Sequence, residues 1–153
     1  MKYLITLLFA ILISGCAERK IDILDKQGNI VGGCIAGYDW HIYGLQDSID
    51  YMLYQCAKDS IQKGYSITDM SLLEKDFILP PAPEGKSWNK KLAMESFKHD
   101  KITETKLGYI LADIEYNYRK TVTLAKDNLA NNKITQAEYD ITINNAKFKW
   151  LGE

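Results

Sequence analysis

The segment "GYDWHIYG" at positions 37–44 contains the residues best suited to chemistry. Its five candidate site residues are Tyr38, Asp39, Trp40, His41 and Tyr43. Asp39 and His41 could act as acid and base in a small hydrolase, whereas the three rings could hold a ligand such as a glycan. A third interpretation is that the rings pack in the core, as most buried aromatic residues do. No metal site is predicted, because Asp39, His41 and the distant His99 lack the spacing of metal ligands.

The N-terminal segment has the pattern of a secretion signal. Lys2 precedes a continuous apolar run at positions 3–13. This run is shorter than the ~20 apolar residues of a membrane-spanning helix, and its length suits the apolar region of a signal peptide. The run ends in Ile13-Ser14-Gly15-Cys16, which resembles the lipobox of bacterial lipoproteins. An ordinary secretory signal with a coincidental cysteine is the alternative.

The lipobox resemblance implies a lipid anchor. In that family the signal, here residues 1–15, is removed, and the sulfur of the cysteine, here Cys16, receives a diacylglyceryl group. A further acyl chain, such as palmitate, is usually added, and two or more chains hold a protein stably on a bilayer. An Asp after the cysteine tends to mark inner-membrane retention in Gram-negative lipoproteins. Ala17 therefore favours the periplasmic face of the outer membrane.

Export would place Cys34 and Cys56 in an oxidising compartment, where paired cysteines usually form disulfides. We therefore predict a Cys34–Cys56 disulfide, which would attach a β-hairpin to the buried face of a helix. Two buried free thiols are one alternative. The other is a nucleophilic thiol, for which His41 is the only nearby partner.

The composition indicates a globular protein with no general attraction to nucleic acid. The chain has 153 residues, of which 46% are hydrophobic and 25% charged, and its formal net charge is −1. That length fits one modest domain with appendages, and a near-neutral charge is not typical of nucleic-acid binding. No cofactor is predicted from any motif.

The first half of the mature chain is predicted to form a β-hairpin. Residues 21–24 and 30–35 alternate as strands do, and 27–29 has turn residues. Gly32 and Gly33 interrupt the alternation and predict a β-bulge.

A helix is predicted from Asp47, as its N-cap, to Lys63, with Gly64 ending it. A helical turn is expected at residues 69–75, and the prolines that follow indicate an extended connector. The predicted apolar stripe of the first helix comprises Ile49, Met52, Leu53, Cys56, Ala57 and Ile61.

The second half contains an internal repeat. Residues 93–114 align with residues 125–146, 32 positions later, and the tripeptide Lys-Ile-Thr recurs at the same place in both copies. Thr103 and Thr135 are predicted N-caps, and Glu138 would complete a capping box with Thr135.

Each copy predicts a helix, a tight turn and a second helix. One long helix, Glu104–Ala130, would belong to both copies, and shorter helices would pack against it on either side, the first capped by Ser87. The predicted fold is mostly α, with a small N-terminal β-hairpin and helical hairpins that share a long central helix.

The second copy resembles the short C-terminal (SHOCT-type) helical domain of many bacterial proteins. The matching residues are Leu129, Ile134, Thr135, Glu138, Tyr139 and Leu151. That resemblance implies a pair of helices used for interaction or oligomerisation, and no enzyme activity. A capped helical bundle built from similar hairpins is the alternative interpretation.

These observations predict a non-enzymatic, membrane-anchored interaction or structural module of the cell envelope. Its expected partners are the membrane, through the lipid, and a protein or a second copy of itself. A small envelope hydrolase or glycan-binding protein that uses Asp39, Trp40 and His41 is the alternative. The predicted organisation is a signal at 1–15, a lipidated tether at 16–20, a hairpin-and-helix unit at 21–79, a Pro-rich connector at 80–86 and a helical-hairpin domain at 87–153.

Overall fold

A three-stranded antiparallel sheet lies at the start of the described chain. The computed structural model describes residues 18–37, 45–83 and 85–152. Strand β1 (Glu18–Leu24) lies between β2 (Ile30–Gly37) and the short β3 (Ser66–Ile67). The predicted hairpin is confirmed, whereas β3 was not predicted. Two residues are too few for a strand pattern to be recognised.

The hairpin turn is held by one carboxylate. Asp25 accepts hydrogen bonds from the backbone N–H groups of Gln27 (2.8 Å) and Asn29 (2.9 Å). Gly28 has a φ of +84°, a left-handed conformation that glycine adopts without steric cost. These bonds explain why the predicted turn residues reverse the chain here.

The irregularity in the hairpin lies beside the turn rather than at the two glycines where it was predicted. Ile23 pairs with Gly32, and Leu24 pairs with Ile30, so Val31 is the extra residue. Gly33 keeps a regular partner in β1. The turn closed by Asp25 sets the register of the two strands at this end of the hairpin. The one extra residue of β2 therefore lies directly after the turn.

Strand β1 begins earlier than predicted, within the expected tether at 16–20. Residues 18–20 pair with the last three residues of β2. The guanidinium of Arg19 forms ion pairs with Asp50 and Asp69, which belong to the packed body of the protein. These ion pairs hold the start of β1 in place, although residues 18–20 are polar and were expected to belong to the tether.

Helix α1 (Leu45–Gln62) starts two residues before the predicted boundary. Asp47, predicted as the N-cap, therefore lies in the first turn, where its carboxylate accepts a hydrogen bond from the hydroxyl of Thr105 (3.1 Å). Gly64 follows the helix with a φ of +87°, as predicted for a glycine that ends a helix.

The buried stripe of α1 differs from the prediction at both its edges. Ile49, Leu53 and Ala57 are buried as expected, but Ile61 is exposed because it lies in the last turn of α1. Tyr51, absent from the predicted stripe, is buried among other aromatic rings. A short 3-10 helix (Met70–Glu74) follows where a helical turn was expected.

The second half folds into three helices, as predicted. Helix α2 (Lys90–Lys98) and helix α4 (Gln136–Leu151) both pack on the long α3 (Glu104–Ala130). The bounds of α3 are those predicted from the sequence. The protein is mostly α with a small antiparallel sheet, in agreement with the predicted fold class.

Two of the three caps predicted for the second half are confirmed. The Thr103 hydroxyl caps α3, and Thr135 forms a reciprocal capping box with Glu138 at the start of α4. Ser87 was the wrong choice for α2, which is capped by the side chain of Asn89. Both residue types are good caps, and it is Asn89 whose side chain accepts the hydrogen bond from the N–H of Leu92 (2.8 Å).

The two turns of the repeat have the same geometry. The N–H of Lys101 donates to the carbonyl of Ser96 (2.9 Å), and the N–H of Lys133 donates to that of Asn128 (2.8 Å). These are the long hydrogen bonds of a Schellman motif. Each turn includes one non-glycine residue with a φ of +54°, Asp100 in the first and Asn132 in the second.

Helix α3 contributes to two hydrophobic clusters. The first cluster joins the sheet, α1 and Phe77 to Tyr109 and Ala112 of α3. The second joins α2 to a different set of α3 residues. Helices α1 and α3 run parallel, because their contacts advance in the same direction: Ser48 with Gly108, Tyr51 with Asp113, and Asp59 with Lys120.

Within the described ranges, no helix is both long and apolar enough to cross a membrane.

Candidate functional site

The described residues enclose a groove between three segments that are distant in sequence. It has a volume of about 670 Å³ and lies between residues 86–89, the middle of α3 and the C-terminal end of α4. We call it the aromatic groove, because its lining includes Trp88, Tyr118, Phe148 and Trp150.

The aromatic rings occupy distinct positions in the groove. Tyr118 and Trp150 stack with ring centroids 4.6 Å apart and planes inclined by 14°, so one face of each ring is covered. Trp88 donates its indole N–H to the carbonyl of Pro80 (2.8 Å), which orients its ring. Phe148 is 62% exposed and offers a ring face to solvent. Contacts within the protein thus orient Tyr118, Trp150 and Trp88, whereas the ring of Phe148 is open to solvent.

The buried side of the groove includes one carboxylate with several donors. Asp113 accepts hydrogen bonds from the hydroxyl of Tyr51 (2.9 Å), from Gln55 (3.3 Å) and from the amide of Asn117 (3.1 Å). Burial raises the pKa of the Asp113 carboxyl, while the bonds from Tyr51 and Asn117 oppose that rise. Burial and the nearby Asp113 also raise the pKa of Tyr51 well above its usual range.

The hydrogen bonds of Asp113 assign it a structural role. Both carboxylate oxygens accept from neighbouring side chains: the bonds from Tyr51 and Gln55 connect α1 to α3, and the bond from Asn117 lies within α3. A general acid or base needs a proton position that faces the substrate. The carboxylate instead fixes the α3 side of the groove.

The C-terminus of α4 closes one end of the groove by a close contact. Gly152 caps α4 with a φ of +88°, and a Cβ at this position would lie 2.4 Å from Oδ1 of Asn89. That oxygen also accepts the N-cap hydrogen bond of α2 from the N–H of Leu92 (2.8 Å). One glycine therefore allows α4, α2 and residues 86–89 to meet.

The rim of the groove is basic. Lys86 and Lys149 line it, and both residues are exposed. Among the described lining residues Asp113 is the one carboxylate, and it is half-buried and accepts hydrogen bonds from Tyr51 and Asn117. A ligand segment with acidic groups would therefore experience a net attraction at the mouth of the groove.

The predicted disulfide is confirmed. Cys34 in β2 and Cys56 in α1 are bonded, with their Cα atoms 5.8 Å apart. Cys34 is almost fully buried. In this disulfide neither sulfur is a thiolate, which overturns the alternatives of two free thiols and of a nucleophilic cysteine.

The other predicted site residues lie outside the described residues. These are Cys16 and the loop residues Tyr38, Asp39, Trp40, His41 and Tyr43. Their proposed roles therefore stay predictions. Among the described residues, no group of three or more His, Cys, Asp or Glu side chains could hold a metal ion.

A buried ion cluster is a feature that the sequence did not predict. Asp50 is buried and pairs with both Arg19 and Lys75, and it accepts a further hydrogen bond from Gln46 (3.1 Å). The cluster joins the start of β1 to α1. Its members are separated by long stretches of sequence, so no local pattern could identify it.

The aromatic groove had one visible signal in the sequence. Trp88 and Trp150 are two of the three tryptophans of the chain, and each lies near the end of a predicted helix. Their common location in one groove depends on how α2 and α4 pack on α3, which no local pattern in the sequence shows. No protein-family model, curated protein or solved structure matches this chain.

Proposed function

We propose that this protein is a bacterial lipoprotein that acts as a non-enzymatic binding module in the cell envelope. Acylated Cys16 would hold it on the periplasmic face of the outer membrane, and the aromatic groove would be its binding site. The groove is the observation on which the proposal rests. The Cys34–Cys56 disulfide supports an oxidising compartment.

The groove favours binding because of the kinds of groups that line it. Ring faces and tryptophan side chains provide contact area at low cost in conformational entropy. The exposed ring of Phe148 and the lysines at the rim fit a partner segment that combines apolar and acidic side chains. Such a segment would place its apolar groups between α3 and α4 and its carboxylates near Lys86 and Lys149.

The hairpin of α3 and α4 adds a second argument for interaction. The structure describes all of α4 and the last fifteen residues of α3. Within these two segments only Ala125 of α3 and Ala146 of α4 are buried. This part of the hairpin is therefore held by little apolar burial of its own. A SHOCT-type role as an interaction pair of helices would agree with that exposure.

A glycan ligand is a second candidate. It is favoured by the exposed ring of Phe148, because aromatic faces can stack on the apolar faces of sugars. The alternative site at Asp39, Trp40 and His41, for an envelope hydrolase or a glycan-binding protein, stays a prediction.

Site-specific crosslinking in cells would test the groove. A photoreactive phenylalanine analogue at position 148 is expected to give a discrete adduct with one partner. The matched control is position 141 of the same helix, because Ile141 is 60% exposed and lies outside the groove lining. Equal adduct patterns at positions 148 and 141 would show that the groove has no specific partner. An adduct of twice the mass of the protein would indicate self-association.

Substitution of the anchor would test the acylation. Cys16→Ser is expected to abolish incorporation of labelled fatty acid into the protein, because the sulfur that would be acylated is gone. Mass spectrometry of the mature wild-type N-terminus should show two or more acyl chains. An unmodified Cys16 would refute the anchor while leaving the groove proposal open.

A further inference from the structure

The fold begins very close to the proposed anchor. Strand β1 starts at Glu18, so only Ala17 lies between the strand and Cys16. Two residues span at most about 7 Å when fully extended. If Cys16 is acylated, as in the proposed function on which this inference rests, the Glu18 end of the sheet cannot leave the surface of the bilayer.

This end of the sheet has an exposed apolar side chain. Ile35 of β2 is 62% exposed and pairs directly with Lys20 of β1, so the two side chains share a face of the sheet. The neighbouring residues Cys34 and Ala36 are buried on the opposite face, which packs on α1. Ile35 and Lys20 therefore point away from the packed body of the protein.

Strand β2 is an edge strand with further exposed apolar residues. Among the described strands it has one neighbour, β1. Ile30 and Val31, at its other end, are each more than half exposed. Soluble proteins usually protect edge strands with charged residues, and an apolar edge of this kind indicates a surface that is covered in use.

We propose that the bilayer covers this surface, and that Ile35 inserts into the interfacial region of the membrane beside the acylated Cys16. The short connection holds the sheet and the lipid together at high effective concentration. An aliphatic side chain suits the boundary between acyl chains and headgroups, and the ammonium of Lys20 beside it pairs with the carboxylate of Asp22 (2.8 Å), so the two charges offset each other on this face. The exposed face of the sheet at the Glu18 end would thus lie against the membrane.

Lipid crosslinking would test this orientation. The full-length acylated protein is reconstituted in vesicles of phosphatidylethanolamine and phosphatidylglycerol, with a diazirine amino acid at position 35. Position 35 is expected to form several-fold more phospholipid adducts than position 141, since Ile141 is equally exposed but lies in α4, which does not pack on the sheet. Position 30 reports whether the strand lies flat, because it is about 16 Å further along β2.

The outcomes separate this proposal from the anchor itself. If Cys16 carries no acyl chain by mass spectrometry, both proposals fail. If Cys16 is acylated but positions 35 and 141 label phospholipid equally, only the orientation is overturned. Protein–protein adducts at position 35 would overturn it in favour of pairing between the β2 edges of two copies. A non-reducing gel that shows the Cys34–Cys56 disulfide confirms that each variant is folded.

Discussion

Asp59 and Asp113 are two carboxylates of the α1–α3 interface with opposite pKa shifts. The hydrogen bond from the ammonium of Lys120 (2.6 Å) and that from the hydroxyl of Tyr116 (2.9 Å) lower the pKa of Asp59 against a smaller effect of burial. At Asp113 burial dominates and raises the pKa. Burial and the nearby carboxylate also raise the pKa of Tyr116 to about 12. As the pH is lowered, Asp113 therefore becomes protonated at a higher pH than Asp59.

Asp59→Asn should reduce stability in a pH-dependent way. A carboxyl with a lowered pKa in the folded state stabilises the fold above its usual pKa, and this contribution is lost as the pH falls through the lowered value. We expect a loss of about 0.5–1 kcal/mol in the free energy of unfolding at about pH 7, as for other partly exposed ion pairs. In urea denaturation the difference from wild type should shrink as the pH falls through the lowered pKa of Asp59.

Glu115→Gln is the matched control for this prediction. Glu115 pairs with Arg119 (2.6 Å) within α3 and does not connect two helices. Its replacement should change the free energy of unfolding by no more than a few tenths of a kcal/mol. A loss for Asp59→Asn that persists unchanged at low pH would contradict the assigned ion pair.

At the scale of elements, the local signals in the sequence predicted most of the helices. The caps Thr103 and Thr135 and the boundaries of α3 follow from residue types and spacing within short segments, whereas the disulfide was predicted from the expected oxidising compartment. Ser87 failed as a cap because the side chain of Asn89, two residues later, accepts the N-cap hydrogen bond from the N–H of Leu92. The aromatic groove could not be predicted, since its three segments meet only when α2 and α4 pack on α3.

Gly152→Ala should weaken both the end of α4 and the groove. The substitution places a side chain in a left-handed conformation, which costs about 1–2 kcal/mol, and it also forces Asn89 to move. Gly64→Ala is the control, because Gly64 has a φ of +87° and a Cβ added there would have no atom within 4 Å. Thermal unfolding should show the larger loss for Gly152→Ala. Equal losses would mean that the contact with Asn89 has no energetic importance.

At the scale of the whole molecule, α3 connects the parts. Its 27 residues span about 40 Å, and its first half contributes to both hydrophobic clusters. The sheet is joined to this helix through α1 and through the disulfide from β2 to α1. The stability of the sheet therefore depends on the packing of α1 on α3.

Removal of the disulfide should destabilise the protein substantially. The bond closes a loop with a sequence separation of 22 residues. The chain-entropy model assigns about 3 kcal/mol to a loop of this size. We expect Cys34→Ala/Cys56→Ala to lose about that much free energy of unfolding, and wild type with a reductant should behave similarly. A double variant as stable as wild type would show that packing alone holds β2 on α1.

The two turns that flank α3 have a consequence for the origin of the fold. They share their hydrogen bonds and their left-handed residues, and they lie 32 positions apart, as do Lys101 and Lys133. A gene that copied one helical hairpin in tandem would produce this arrangement, with the last helix of one copy fused to the first helix of the next. Such a duplication would account for the length of α3, and a further copy would extend the protein without any new turn.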